Sequence, residues 1–391
     1  MTDKQAARPW GDHQFSIYLE GMEDRYPSLP MGYGAMARAA KKLLDQRAYW
    51  YVAGGAGIET MRANRNALQH WAIVPRMLRD CSQRHYACTF FGQKLNAPLL
   101  LAPVGVQGML HPHGELATAR AAAAVGLPLI ASLLSSHSLE EIAAQMGAMP
   151  RWFQLYWPKD WALTESLIQR AERAGYSALV VTLDTRIIGW REKDLARGFL
   201  PFLMGQGLAN YTSDPVFQQR LGDGGPAAVP LVWASLYSDL SHTWRDVARL
   251  RKLTNMPLLF KGIMHPDDAR QAVDCGADGL IISNHGGRQV GGALASLDAL
   301  VAVRAALGDA VPLLFDSGIR QAGDAVKALA LGAQAVLLGR PYLWGLALGG
   351  EAGVAEVCRR FLAEFDLTMA LAGLATLDDL QESILQRRLW R

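Results

Sequence analysis

Eight short apolar runs recur between residues 98 and 341, most of them followed by a segment of helical period. They read PLLLAPV (98–104), PLIASLL (128–134), WFQLYW (152–157), ALVVTLD (178–184), PLLFKG (257–262), GLIISNH (279–285), PLLFDSG (312–318) and AVLLGRP (335–341). Near-continuous hydrophobic runs mark parallel strands covered on both faces; a sheet with one wet face would alternate apolar and polar residues. SLEEIAAQMG (138–147), LTESLIQRAERAG (163–175) and HPDDARQAVDCG (265–276) read as helices that stop on glycine, a C-terminal cap signal. Eight such units predict an α/β fold of the closed (β/α)8 TIM-barrel type. A doubly wound open sheet is the alternative. It usually carries GxGxxG after its first strand, and APVGVQG does not fit that pattern.

Most strands begin 20 to 35 residues after the previous one, but Asp184 and Pro257 bound a much longer gap. Its middle, GFLPFLMGQGLANYTSDPVFQQRLGDGGPAAVP, is rich in Gly, Pro and aromatics with weak periodicity. An insertion of this size is usually a lid or disordered. It leaves from the end of a strand where barrel active sites lie, so residues 190–240 are expected to form a lid. Residues 1–97 are expected to be a helical lead-in, with YGAMARAAKKLLDQRAYWYVAGGAG forming a helix that runs into a glycine-rich turn. The whole chain, 1–391, then reads as one domain, with the barrel over 98–391.

The bulk numbers narrow the partners. The 391 residues carry a net charge of only +3 and no lysine/arginine block, which argues against nucleic acid. The longest apolar runs are about half a membrane span, and residues 1–15 hold no hydrophobic signal core. Cys81, Cys88, Cys275 and Cys358 show no CxxC spacing, so they read as free thiols in a reducing, cytoplasmic setting.

The polar residues at the strand ends carry the chemistry. In order they are Ser132, Gln154 with Tyr156, Thr182 with Asp184, Lys261, Ser283 with His285, Asp316, and Gly339 with Arg340. Apolar layers fill a barrel interior, so polar groups converging on one rim point to a site. His285 has the one side chain in the set whose ordinary pKa lies near neutrality, which makes it the natural base, with Asp184 to hold its tautomer. Arg191 and Arg288, on loops past strands, suit bidentate capture of a carboxylate. Lys261 is either an imine-forming nucleophile or a fixed charge beside a cofactor. FDSGIRQAGD and LLGRP place glycines and backbone N–H groups after strands seven and eight, where barrels commonly bind phosphate. No HxH, HExxH or carboxylate cluster has metal-ligand spacing, so no metal is expected. Together these point to a phosphorylated cofactor acting on a small hydroxy or keto acid.

SNHGGRQ, together with FQLY, VTLDT, FKGI and LTMALAG, resembles the FMN-dependent 2-hydroxy-acid oxidases and dehydrogenases over essentially the whole chain. The resemblance implies FMN as cofactor, a small L-2-hydroxy acid and dioxygen as substrates, and a homotetramer or homo-octamer. It makes His285 the catalytic base, Asp184 its partner and Tyr156 the hydrogen-bond partner of the reacting oxygen. Tyr51, Arg191 and Arg288 would hold the substrate carboxylate, and Lys261 would sit by the flavin. Ser132, Gln154, Thr182, Ser283, Pro103, Val104 and Gly105 match flavin-contacting positions; Asp316, Gly318, Arg320, Gly339 and Arg340 match the ribityl and phosphate grip.

Gly105 in APVGV, where oxidases of the family commonly have alanine, is similar to the lactate 2-monooxygenase branch. So are the lid, Trp190, WGDHQFSIY and LPMGY. That branch implies lactate and dioxygen giving acetate, carbon dioxide and water; the alternatives are an oxidase releasing keto acid and hydrogen peroxide, or a quinone-linked dehydrogenase. The chain departs from the family at IETMRAN after GGAG, and VQGMLHPHGE is closer to the oxidase pattern. Leu134 stands where glycolate oxidase has tryptophan. These departures leave room for a somewhat larger 2-hydroxy acid.

Overall fold

A computed structural model of the chain describes residues 9–237 and 239–388. The first eight residues of the lead-in, position 238 in the insertion and residues 389–391 lie outside the described residues. Eight parallel strands close into one barrel: β1 (Leu99–Leu101), β2 (Leu129–Ser132), β3 (Arg151–Tyr156), β4 (Leu179–Thr182), β5 (Leu258–Ile263), β6 (Gly279–Ile282), β7 (Leu313–Phe315) and β8 (Ala335–Leu338). Each expected run holds one strand, trimmed by a few residues at most ends. Ring closure runs through β8 and β1, where Val336, Leu337 and Leu338 pair with Leu99, Leu100 and Leu101.

Strand period decides what the barrel encloses. Successive side chains point to opposite faces, so alternate residues line the interior. Leu100, Ile130, Trp152, Val180, Leu259, Ile281, Leu314 and Leu337 form that inner cluster, separate from the larger one between sheet and helices. Two residues further along each chain come Ala102, Ser132, Gln154, Thr182, Lys261, Ser283, Asp316 and Gly339. The same alternation that buries an apolar layer therefore lifts a mostly polar ring to the C-terminal mouth.

The opposite mouth is plugged. A hairpin, Cys88–Phe90 paired with Gln93–Leu95, adds Phe90 and Leu95 to the inner cluster. The Phe91 ring lies 5.8 Å from that of Trp152. The lead-in is thus not purely helical as expected: it also holds this hairpin and a strand, Trp71–Ile73, paired antiparallel with Leu385–Arg387. The helix expected over YGAMARAAKKLLDQRAYWYVA is two helices, Tyr33–Leu43 and Gln46–Ala53. Asp45 breaks it, its side chain accepting from the Arg47 amide at 2.7 Å as the N-cap of the second helix. Elsewhere the terminal glycines behave as read: Gly147, Gly175 and Gly276 all follow their helices with positive φ.

The insertion between β4 and β5 is built of short helices, Glu192–Leu195, Ala209–Thr212, Pro215–Leu221, Gly225–Leu236 and Trp244–Arg251, with Pro201–Met204 as a 3₁₀ turn. Glycine and proline cut it into pieces too short to show a period, which is why the sequence looked irregular there. It is held down by buried polar contacts. Asp214 is fully buried, caps Pro215–Leu221 and meets Arg170 at 3.1 Å, while Arg170 also binds Glu140 at 2.8 Å. Asn210 accepts from the Leu139 amide at 2.7 Å and donates to the Leu133 carbonyl at 2.8 Å. No helix among the described residues is long and apolar enough to cross a membrane.

Removing the Asp214 side chain leaves Arg170 with Glu140 as counter-ion, but takes away a buried partner and the N-cap of Pro215–Leu221. The cap alone is worth about 0.5–2 kcal/mol. Asp214→Ala should therefore lower the denaturant midpoint by a corresponding amount. An unchanged midpoint would show that the insertion is anchored elsewhere.

Candidate active site

A cleft of about 1210 Å³, solvent mouth included, opens at the C-terminal face of the barrel. Of the residues singled out from sequence, Tyr51, Pro103, Val104, Gly105, Tyr156, Arg191, Lys261, His285, Arg288, Asp316, Gly318, Arg320, Gly339 and Arg340 all line it. Ser132, Gln154, Thr182 and Ser283 are not on its wall. They lie buried at the strand ends: Ser132 donates to Gln154 at 3.1 Å, and Gln154 donates to Thr182 at 2.9 Å. Ser283 accepts from Lys261 Nζ at 2.8 Å. Asp184 also stands behind the wall, against His285.

The loop after β6 is shaped by backbone constraint. His285, Gly286 and Gly287 adopt φ of +57°, +65° and +75° in succession. Glycine takes this region freely, whereas a residue with a Cβ held there costs of order 1–3 kcal/mol. A Cβ on Gly287 would lie 2.9 Å from the Met61 backbone nitrogen, so the HGG sequence has steric as well as conformational grounds. The result presents the imidazole to Asp184. His285 Nδ1 and Asp184 Oδ1 are 2.7 Å apart, and Thr185 Oγ1 donates to the same oxygen at 2.8 Å. Gly262 allows the close approach: a Cβ there would meet the Asp184 backbone nitrogen at 2.8 Å.

The electrostatics separate acid from base. Burial would raise the Asp184 carboxyl, but His285 and Lys261 beside it hold it down at about 2. Burial lowers the His285 pKa against the pull of Asp184, and Lys261 adds to the lowering. The imidazole is therefore neutral near pH 7 and carries its proton on the Nδ1 that faces Asp184. That leaves Nε2 as the free base. Tyr156, with its ring centroid 6.5 Å from that of His285, is raised by burial and then by Tyr51 and Asp184, so its hydroxyl keeps its proton.

Two guanidiniums flank Tyr51. Arg288 lies 5.1 Å and Arg191 6.0 Å from the ring centroid. Arg288 donates to the Tyr51 and Gly54 carbonyls at 2.6 and 3.0 Å, and Arg191 donates to Gln289 Oε1 at 2.9 Å. No ion pair to a carboxylate is made by either among the described residues. Burial, and then Arg191, push the Arg288 pKa down to about 9. A pair of cations this short of counter-charge is a site for an anion.

A second cationic group lies past β7 and β8. Arg340 donates to the carbonyls of Val52, Gly54 and Gly286 at 2.8, 2.9 and 3.1 Å, and Arg320 stacks over Tyr33 at 4.4 Å. Neither has an ion-paired carboxylate among the described residues. Gly339 caps the helix that begins at Arg340, so backbone N–H groups add to the attraction for a phosphate. Lys261 is neutralised differently: Asp316 meets it at 3.2 Å, and with Asp184 holds its pKa up despite burial. It is a fixed cation rather than a neutral amine, which removes the imine-nucleophile reading.

Several wall residues were not singled out from sequence. Tyr33, Phe202 and Tyr237 line the cleft, the last two from the insertion, and Thr185 braces the dyad. Thr185 stands next to Asp184 in VTLDT and could have been found there. Phe202 and Tyr237 could not, because their segment has no readable period. Gly105 sits under unusual pressure: a Cβ there would lie 2.2 Å from the Leu134 carbonyl oxygen, which already accepts from the Val106 amide at 2.9 Å.

The chain is similar to several known proteins over most of its length. Residues 40–387 match a family model described as FMN-dependent dehydrogenase. An FMN-dependent alpha-hydroxy acid dehydrogenase of Penicillium citrinum is 42% identical, covering 97% of this chain and 96% of its own. An L-lactate oxidase of Lysinibacillus sphaericus is 41% identical over 90% and 92%, respectively. Among solved structures, a Pediococcus acidilactici lactate oxidase has a TM-score of 0.84 at 36% identity, covering 92% of this chain and 96% of its own. A mandelate oxidase has a TM-score of 0.81 at 38% identity, covering 92% and 99%.

The donor set fits FMN. Arg320 and Arg340 make no ion pair with a carboxylate among the described residues, which suits a phosphate, and Lys261 is a charge suited to a reduced flavin. Gly105 joins Pro103 and Val104 on the cleft wall, with no space for a Cβ beside the Leu134 carbonyl. From the family match, the relatives and this donor set together, the chain belongs to the FMN-dependent 2-hydroxy-acid oxidoreductases.

Proposed function

We propose that the protein oxidises a small L-2-hydroxy acid with dioxygen, and that it keeps the keto acid in place for oxidative decarboxylation. With lactate the balance is lactate plus O₂ to acetate, CO₂ and H₂O. The observation that carries the reading is the pair Arg191 and Arg288, both close to the Tyr51 ring and without a carboxylate ion partner among the described residues, within one cleft with the His285–Asp184 dyad. The pair would take the substrate carboxylate. Tyr156, still protonated, would donate to the reacting oxygen, and neutral His285 would accept the substrate proton. Asp184 would then stabilise the imidazolium, a role worth several powers of ten where measured in other dyads. Bound FMN supplies the two-electron acceptor, held by Lys261, Arg320 and Arg340.

Retention of the keto acid is supported by the lid, which places Phe202 and Tyr237 in the wall, and by the absence of a Cβ at position 105. The oxidase outcome, with peroxide and keto acid released, is the second reading; the relatives whose names are oxidases favour it. A homotetramer or homo-octamer working in the cytoplasm completes the proposal, and sedimentation would test the assembly.

Aerobic turnover with a panel of L-2-hydroxy acids, reading peroxide, keto acid and CO₂ together, should give CO₂ with little free peroxide. Stoichiometric peroxide would select the oxidase reading, and no reaction with oxygen would select a dehydrogenase. His285→Gln should keep FMN bound while slowing anaerobic flavin reduction by about 10²–10⁴-fold or more. Near-normal reduction would remove the imidazole from the chemistry. A buried base must lose its proton to act, so kcat/KM should fall only below an apparent pKa that is itself under 6.5. An acid limb above pH 6.5 would contradict a neutral, desolvated histidine. Gly105→Ala must displace the Leu134 carbonyl, and should raise the peroxide share of turnover; an unchanged share would free position 105 of any control over product.

A further inference from the structure

The SNHGGRQ stretch ends on Gln289, which is not on the cleft wall but bonds directly to Arg191, which is. Its side-chain amide is fully committed. Oε1 accepts from Arg191 Nη2 at 2.9 Å, and Nε2 donates to the Asp184 and Ile187 carbonyls at 3.0 and 2.9 Å. Chemistry forces this orientation of the amide: a guanidinium only donates and a carbonyl only accepts, so a flipped amide would lose all three bonds. The two carbonyls belong to the turn after β4 and Gln289 to the loop after β6, so one side chain ties the loops together. Gly189 shows how closely they meet. A Cβ there would lie 2.5 Å from the Gln289 carbonyl oxygen and 2.7 Å from that of Arg288.

Arg191 is 6% exposed, and among the described residues Gln289 is the one side chain that accepts a hydrogen bond from it. Its Nε reaches the Arg288 carbonyl at 3.4 Å, while its Nη1 donates to no protein atom among the described residues. A bond from a charged donor to a neutral oxygen is strong and directional, yet it leaves the positive charge in place. A carboxylate at the same point would hold the guanidinium as firmly and cancel it. The amide is therefore the group that can aim Arg191 and still leave its charge for a ligand. The two carbonyls do the complementary work, because they keep the oxygen of the amide, not its nitrogen, turned to the arginine.

We propose that Gln289 is the positioning residue of the carboxylate clamp: it fixes the Arg191 guanidinium through a neutral oxygen, so that the cation is aimed and uncancelled when a monocarboxylate binds. The inference rests on the reading of Arg191 and Arg288 as the substrate clamp. Gln289 acts through Arg191 from outside the cleft wall, so its replacement shows in affinity more than in the chemical step.

The test uses FMN-loaded enzyme and propionate, a non-oxidisable monocarboxylate, titrated calorimetrically at pH 8. Gln289→Glu keeps the length of the side chain and turns its contact with Arg191 into an ion pair. The propionate dissociation constant should rise about tenfold or more, as expected when a charge at contact distance is cancelled. KM for the hydroxy acid should rise with it, while the limiting rate of anaerobic flavin reduction at saturating substrate falls far less. Gln289→Met releases the guanidinium without adding a charge, and should lie between the wild type and Gln289→Glu. A merely structural role would make Gln289→Met, which loses every hydrogen bond, the weaker binder, or would lower affinity and limiting rate together; either result overturns the proposal. Should Gln289→Glu fail to retain FMN, Gln289→Met carries the test through the same split between KM and limiting rate. Arg191→Met separates the two readings. Wild-type affinity for propionate in that variant would sink the clamp itself, whereas weaker binding there with wild-type affinity in both Gln289 variants sinks only the role of Gln289.

Discussion

Barrel closure with a two-residue side-chain period is the constraint on which the rest of this molecule depends. Once Leu100, Ile130, Trp152, Val180, Leu259, Ile281, Leu314 and Leu337 fill the interior, the residues two positions on must share one mouth. Polar side chains there are far from bulk water and close to one another, so each has to find a partner. Ser132, Gln154 and Thr182 do so in a chain of hydrogen bonds, and Lys261 does so with Ser283 and Asp316. What the interior cannot satisfy is left facing the cleft, and there the chemistry lies.

Charge in the cleft is divided by this rule. Asp184 has His285, Thr185 and Lys261 around it, which hold its pKa down to about 2, so it stays ionised near neutrality. Histidine, desolvated by the same walls, stays neutral. Acid and base roles thus follow from environment, not from residue type alone. Of the arginines that line the cleft, Arg65 pairs with Asp324 at 2.6 Å; the other four are different. Arg191, Arg288, Arg320 and Arg340 are held by carbonyls, an amide or an aromatic face, none of which cancels a positive charge. Two sets of cations are held in this way, one against Tyr51 and one at a helix start, with no ion-paired carboxylate among the described residues.

The insertion shows how a segment without visible pattern can still be specified. Its helices run from four to twelve residues, and several of them are too short to be stable alone. They are fixed by point contacts instead: Asp214 to Arg170, Asn210 to the β2–β3 side of the barrel, and the aromatic contacts of Phe202 and Trp233 at 4.9 Å. Such contacts join residues 31 to 77 positions apart in sequence, so no local window could reveal them. The helical lead-in was misread for a related reason. Asp45 as an N-cap is a local signal and was readable, but the 88–95 hairpin gains its stability by plugging the barrel, which only the closed sheet provides.

The amino-acid sequence by itself determined the number of β/α units, the strand positions, the site of the insertion and most of the polar rim, because hydrophobic period and strand ends are local properties of the chain. It also marked His285, Asp184, Arg191 and Arg288 through a compact set of motifs. Tertiary structure alone decided which of these groups are charged, which lie behind the wall and which are left without a partner. Those are properties of distance and burial, set by residues such as Gly262 beneath Asp184 and Leu134 against Gly105, brought together only when the barrel closes.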